Sequence, residues 1–144
     1  MEVEIRDLQS GPVNEELLAE AARLALSAAD GSLDAVEIAL VDDAKITELN
    51  RRFLGREGPT DVIAFEAEVG PEGSAGEVIV SAETAARQAV EAGHPLQTEL
   101  SLLVAHGVLH VLGYDDENEQ SRAAMDLLQQ EVLKQLEGWT DGHG

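Results

Sequence analysis

Residues 100–112, LSLLVAHGVLHVL, decide how this chain folds. Apolar side chains occupy every side of the helix that this stretch would form, rather than a single stripe. A helix that is apolar all round is buried at the centre of a domain. The stretch therefore predicts a central helix packed against a sheet. It carries two histidines, His106 and His110, and each requires a partner because an unpaired imidazole in an apolar setting is costly.

The segments around this helix alternate between strand and helix patterns. Strands are predicted at about residues 1–7, 35–41, 61–65 and 77–80, and further helices at about 15–29, 43–53, 82–92 and 118–136. Residues 66–75 are predicted as an acidic, glycine-containing loop, and Thr98 as the start of the central helix. The predicted fold class is α/β (α+β), with a small mixed four-stranded sheet and about five helices. A single domain is expected over residues 1–136, followed by a flexible tail at 137–144.

The amino-acid composition excludes some kinds of site and some classes of protein. The absence of cysteine among 144 residues excludes disulfides and thiolate metal sites, so any metal must be held by His, Asp or Glu. The acidic start lacks the apolar stretch of a signal peptide, and no window is apolar enough to span a membrane. A cytoplasmic protein without a membrane partner is therefore expected. The net charge of −20 repels nucleic acid at long range.

Positive charge is concentrated in one segment. Arg51, Arg52 and Arg56 fall within six residues, while the other cations are scattered. An anionic substrate would bind here if the protein has one. Charge alone favours the alternative, a solvated helix end at which cations complement the helix dipole.

The two histidines of the central helix lie four residues apart. Side chains at this spacing stack on one helix face, with Cβ atoms about 5–6 Å apart. Both imidazoles can therefore reach one zinc ion at about 2.0–2.1 Å. A third ligand could come from Asp115, Asp116 or Glu117, because the Gly113-Tyr114 turn redirects the chain towards the helix. The alternative is that the histidines only satisfy polar neighbours.

One familiar metal motif is excluded. In HExxH metalloproteases, the Glu after the first His is the general base. Here Gly107 and Val108 follow His106, so that base is absent. Ser81 has no nucleophile motif around it and is predicted to cap a helix.

Three motifs in order resemble those of the YbeY family of rRNA-maturation endoribonucleases. HGVLHVLGYDD at 106–116 resembles HGxLHLxGYDH, and GEVIVS at 76–81 resembles GD-[IL]-x-[IL]-[SC]. LN at 49–50 followed by GPTDVIAF at 58–65 resembles LN…PTDVLSFP. Order and spacing agree from about Val3 to Leu136. The resemblance implies a metal-dependent endonuclease that cuts single-stranded RNA in ribosomal RNA maturation and quality control, with the small ribosomal subunit as partner, in a bacterial cytoplasm.

The resemblance also implies the site residues. His106, His110 and Asp116 are the expected ligands of one divalent transition metal, with zinc the expected ion, although the family usually has His in place of Asp116. An oxygen ligand makes Mn, Fe or Ni more plausible than a third imidazole would. Asp61 could orient a histidine or an arginine.

A second departure from the family concerns the cation at the phosphate. Leu54 stands where the family usually has an arginine, so Arg56 and, less directly, Arg52 are expected to neutralise the phosphate. Arg51 and Thr60 are candidate substrate contacts, and Thr60 could instead only cap backbone.

Two other functions fit the sequence. Leu54 and the net charge favour a ribosome assembly or quality-control factor with a structural metal and little catalysis. The acidic surface also permits a metal-dependent hydrolase of another substrate. The general base is not identifiable from the sequence.

Overall fold

A computed structural model describes the chain over residues 1–71, 73–115 and 117–143, with side chains described as far as residue 138. It contains four strands and five helices over these ranges. In chain order they are β1 (Glu2–Asp7), α1 (Glu15–Ala28), β2 (Ala35–Val41), α2 (Asp43–Leu54), β3 (Val62–Gly70), β4 (Gly73–Ser81), α3 (Ala82–Ala92), α4 (Leu96–Val111) and α5 (Glu119–His143).

The strands form one mixed sheet in the order β1-β2-β4-β3. Strands β1, β2 and β4 run parallel, and β3 pairs antiparallel with β4. The predicted fold class, a small α/β domain with a mixed four-stranded sheet and five helices, is confirmed. None of the described helices is long and apolar enough to cross a membrane.

The predicted loop at residues 66–75 is wrong. Strand β3 continues to Gly70, and β4 begins at Gly73, so the two form a long hairpin with an irregularity between Phe65 and Glu68. The stretch after Phe65, EAEV, alternates acidic and apolar residues, which is the pattern of a half-buried strand. Ala67 packs against the main core in this extension. The acidic residues and glycines of this segment favoured the prediction of a loop, although its side chains alternate as they do in a strand.

Two helix boundaries also differ from the prediction. Helix α4 begins at Leu96, immediately after Pro95, rather than at Thr98. Pro95 is the N-cap residue, and its carbonyl accepts hydrogen bonds from the Thr98 and Glu99 amides, which close the first turn of the helix. Helix α5 extends to His143, beyond its predicted end at Leu136 and into the segment predicted as a tail.

Strand alternation divides the apolar residues between two faces of the sheet. Val36, Ile38 and Leu40 of β2 point into the main core, which α4 fills with Leu100, Val104 and Val108. The neighbouring residues of β2, such as Ala39 and Val41, face a smaller cluster on the opposite side, where α2 contributes Ile46. Successive side chains of a strand point to opposite faces, so α2 and α4 lie on opposite sides of the sheet.

Helix α4 lies unusually close to β4. A Cβ atom built on Gly107 would come within 2.4 Å of Val78 Cγ1, and one built on Gly76 within 2.3 Å of Val111 Cγ1. Both distances are far below a carbon–carbon contact of about 3.5–4.0 Å. Gly107, the residue that replaces the metalloprotease base, is therefore needed for the helix to sit on the sheet.

One row of the sheet carries like charges. Glu4 of β1 pairs with Glu37 of β2, which pairs with Glu77 of β4. Adjacent strands are about 4.8 Å apart, so this glutamate row holds three carboxylates side by side, and directly opposed like charges destabilise a sheet. Arg6 compensates in part, since its Nη1 lies 3.2 Å from Glu37 Oε1.

Candidate metal centre

The two histidines of α4 face each other across one helical turn. His106 Nε2 and His110 Nε2 lie 3.0 Å apart. Their ring centroids are 4.6 Å apart, and the ring planes meet at 68°. Both rings are only partly buried. The predicted stacking at a spacing of four residues is therefore present, and two ring nitrogens converge on one point at the surface of the helix.

The donor geometry can be compared with that of a bound zinc ion. Two imidazole nitrogens at about 2.0–2.1 Å from one tetrahedral ion lie roughly 3.3–3.4 Å apart. The observed 3.0 Å is within a few tenths of an ångström of that separation. Neutral imidazole is also a preferred zinc donor. The His106–His110 pair thus fits two positions of a metal site.

The third predicted ligand, Asp116, lies outside the described residues. Within the part of the chain that is described, no group of three His, Asp or Glu side chains gathers around one point. Asp115 Oδ1 accepts a hydrogen bond from the Glu117 amide at 3.1 Å, which closes a local turn after α4.

His106 has a partner on a different helix. Its Nδ1 lies 3.1 Å from Oε1 of Gln129 on α5. Gln129 was not predicted as a site residue, because it belongs to no motif and lies 23 residues further along the chain. Only the packing of α5 against α4 reveals it.

A cavity of about 420 Å³ opens beside His106 between α4 and α5. Asp61 and Glu99 line it together with His106. Both carboxylates have polar partners. Gln88 Nε2 donates a hydrogen bond to Asp61 Oδ2 at 3.3 Å, and His94 Nε2 lies 2.6 Å from Glu99 Oε1. Asp61 was predicted to orient a histidine or an arginine. Among the described residues, no hydrogen bond or ion pair joins Asp61 to either type of side chain.

The predicted cationic residues lie at the end of α2 and in the loop after it. Arg51, Arg52 and Arg56 are exposed, and none is among the described residues that line the cavity. Arg52 stacks over the Phe53 ring, with its guanidinium carbon 5.3 Å from the ring centroid. No hydrogen bond or ion pair within the described ranges engages any of the three guanidinium groups, so Arg51 and Arg56 are accessible to an external anion, while Arg52 already stacks on Phe53.

The loop that carries Arg56 also connects to the cavity. Asn50 is buried, and its Nδ2 donates to the Gly58 carbonyl at 3.0 Å. The Arg56 amide donates to the Asn50 carbonyl at 3.3 Å. Thr60, half-buried, comes next to Asp61 at the cavity edge. Five residues span at most roughly 18 Å, so Arg56 lies within that distance of Asp61.

Ser81 caps helix α3, as predicted. Its Oγ accepts a hydrogen bond from the Thr84 amide at 3.2 Å and donates one to Asp43 Oδ1 at 2.6 Å. Ser81 is fully buried. Partial burial raises the pKa of Asp43, but hydrogen bonds from Ser81, Thr84 and Arg87 outweigh it, so that this pKa is lowered.

Sequence comparisons agree with the geometry. A family model described as Endoribonuclease YbeY matches residues 4–137. An endoribonuclease YbeY from Moorella thermoacetica is 42% identical, over 92% of this chain and 96% of the relative. The endoribonuclease YbeY of Thermobifida fusca is 35% identical, over 96% of this chain and 94% of the relative.

A solved structure has the same fold. The solution structure of TM1509 from Thermotoga maritima covers 96% of this chain and 93% of its own, with 28% identity and a TM-score of 0.64. The match therefore extends from the motifs to the arrangement of the whole domain. Because the family model spans nearly the whole chain and the relatives are matched over almost their full length, the chain belongs to the YbeY family of hydrolytic endoribonucleases.

Proposed function

We propose that this protein is a metal-dependent endoribonuclease that cuts single-stranded RNA in the maturation and quality control of ribosomal RNA. The observation that carries the metal dependence is the convergence of His106 Nε2 and His110 Nε2 at 3.0 Å. Asp116 is proposed as the third ligand, which leaves one position of a tetrahedral ion open. Zinc is the proposed ion, in a cytoplasmic protein that works at the small ribosomal subunit.

Different residues of the chain are proposed to hold the ion and to bind the RNA. The two histidines hold the ion, which when bound polarises a phosphoryl oxygen or activates water. Arg56 and Arg52 are proposed to neutralise the phosphate charge, and Arg51 and Thr60 to contact neighbouring nucleotides of the single-stranded RNA. The three arginines lie at the end of α2 and in the loop that leads to the cavity, and within the described ranges none of their guanidinium groups makes a hydrogen bond or ion pair. A phosphate at the ion and another near Arg56 would belong to the same single strand.

The acidic surface has a consequence for RNA affinity. With nine cations against 29 acidic residues, few phosphates can be contacted at once. Binding is therefore expected to be weak and to weaken further with salt. The substrate must be brought to the site by something else, and docking on the small ribosomal subunit would do so.

A ribosome assembly factor with a structural metal is the second candidate. Leu54, at the position where an arginine is expected, has 44% of its surface exposed and cannot donate a hydrogen bond to phosphate. This observation favours little catalysis. The two functions differ in one measurable respect, because only the first predicts RNA cleavage that depends on the ion.

The test is metal content and RNA cleavage measured on the same preparations of wild type, His110→Ala and Asp116→Ala. Near-stoichiometric zinc in wild type, lost in both variants, together with ion-dependent cleavage of single-stranded RNA, is the expected result. Zinc without cleavage would establish the assembly factor instead. Wild type that takes up no metal after reconstitution would overturn the proposed centre.

A further inference from the structure

The side chain of Gln129, on α5, makes a hydrogen bond to the histidine pair of α4. The distance of 3.1 Å joins Gln129 Oε1 to His106 Nδ1. A carboxamide oxygen can only accept a hydrogen bond. With the amide in this orientation, Nδ1 of His106 carries the proton, and the neutral ring has its lone pair on Nε2.

The lone pair points to where a metal would lie. His106 Nε2 is the atom that faces His110 Nε2 at 3.0 Å. If the Gln129 amide group were reversed, its N–H would donate to Nδ1 and the ring proton would move to Nε2. That proton would occupy the position of the ion, so metal binding requires the orientation in which Gln129 Oε1 faces His106 Nδ1.

The packing of α5 fixes the position of Gln129. Met125, Val132 and Leu136 are buried in the main core and define the inner face of α5. Gln129 lies four residues after Met125 and three before Val132, so it sits at the edge of this buried face. Its neighbour Gln130 lines the same cavity but is exposed and makes no hydrogen bond within the described ranges.

The choice of an amide also has an electrostatic consequence. A carboxylate at this position would orient His106 equally well, but it would raise the basicity of the imidazole and add negative charge beside the ion. Glutamine orients the ring without charge. In a chain whose net charge is −20, this helps to preserve the Lewis acidity of a metal.

We propose that Gln129 is a positioning residue of the metal centre: its Oε1 accepts a hydrogen bond from Nδ1–H of His106 and so directs the Nε2 lone pair to the ion. The inference rests on the proposed metal-dependent function. It makes α5 part of the centre, and it predicts that removal of one side chain from a different helix weakens metal binding while both histidines remain in place.

The experiment compares wild type, Gln129→Leu, Gln129→Glu and the matched control Gln130→Leu. Zinc affinity is measured by competition with a chromophoric chelator. Loss of the acceptor in Gln129→Leu is expected to weaken zinc binding about 10–100-fold. Gln129→Glu keeps an acceptor and should bind zinc within a few-fold of wild type, and Gln130→Leu should match wild type.

A second readout does not depend on metal. Long-range proton–nitrogen NMR of the zinc-free protein reports which ring nitrogen carries the proton. In wild type and Gln129→Glu, His106 should be protonated at Nδ1, and in Gln129→Leu the two tautomers should mix. An Nε2 proton in zinc-free wild type, or equal zinc affinity of wild type and Gln129→Leu, would overturn the role of Gln129. Absence of zinc binding in wild type, with the Nδ1 tautomer present, would instead overturn the proposed function and with it the role of Gln129 at an ion.

Discussion

Replacement of Gly107 by alanine tests how closely α4 must approach the sheet. The new Cβ would lie 2.4 Å from Val78 Cγ1 and 3.0 Å from Val78 Cγ2. Val78 is fully buried, so its methyl groups cannot move into solvent. The helix must shift by about 1 Å to reach a normal contact. Such overpacking costs about 1–3 kcal/mol, and alanine recovers up to about 1 kcal/mol of helix propensity. With that gain subtracted in full, the free energy of unfolding should fall by up to about 2 kcal/mol.

Urea unfolding followed by circular dichroism measures this change. Gly138→Ala is the matched control, because Gly138 is also helical but a Cβ there would meet no atom within 4 Å. That variant should be unchanged or more stable by up to about 1 kcal/mol. Val78→Ala removes the obstacle, so Gly107→Ala combined with Val78→Ala should cost at least about 0.5 kcal/mol less than the sum of the single changes. A Gly107→Ala variant as stable as Gly138→Ala would refute the close-packing argument.

Three further predictions address charge. The pKa of Asp43 is lowered below its ordinary value of 3.8, so the stabilisation that ionised Asp43 provides is complete above pH 3.8 and is lost as the pH falls through the lowered pKa. Urea titrations from pH 7 to pH 3 measure the difference in unfolding free energy between wild type and Asp43→Asn. This difference should shrink at the acid end, and a constant difference would contradict the prediction. Arg56→Ala should weaken binding of single-stranded RNA and reduce the slope of log affinity against log salt by about 0.7, whereas Arg23→Ala on α1, measured by the same filter-binding titration, should leave the slope unchanged. The melting temperature of wild type, measured by calorimetry, should be higher in ~1 M KCl than in ~0.01 M KCl, because salt screens the repulsion within the glutamate row. Glu77→Gln should show a smaller increase. Equal increases in the two proteins would exclude the glutamate row as the source of the salt dependence.

Much of the candidate site could be predicted because it is local. His106 and His110 share one helix, and the helical repeat alone places their side chains on one face. The cap at Ser81 is likewise a matter of four consecutive residues, and its hydrogen bond to the Thr84 amide confirms it. Arg51, Arg52 and Arg56 stand out as a cluster of cations in the sequence, and the roles of Arg56 and Arg52 at the phosphate and of Arg51 at the substrate stay predictions. Asp116 stays a prediction as well.

The hairpin between β3 and β4 shows why other parts were missed. Residues 66–75 carry acids and glycines, which favour a loop when each residue is judged by its type. Their alternation places Ala67 against the main core, and pairing with β4 then supplies backbone hydrogen bonds. Whether this segment forms a strand or a loop depends on its pairing with the partner strand, so its structure cannot be predicted from the segment alone.

The sequence by itself determined most of the elements, the histidine pair and the family, because helix periodicity and motif spacing act over a few residues. Only the tertiary structure decided that Gln129 contacts His106, that Gly107 must be small to fit against Val78, and that α2 with its arginines lies on the sheet face opposite α4. These are contacts between elements far apart in the chain. They depend on how the apolar faces of strands and helices pack together, and that packing is a property of the whole core.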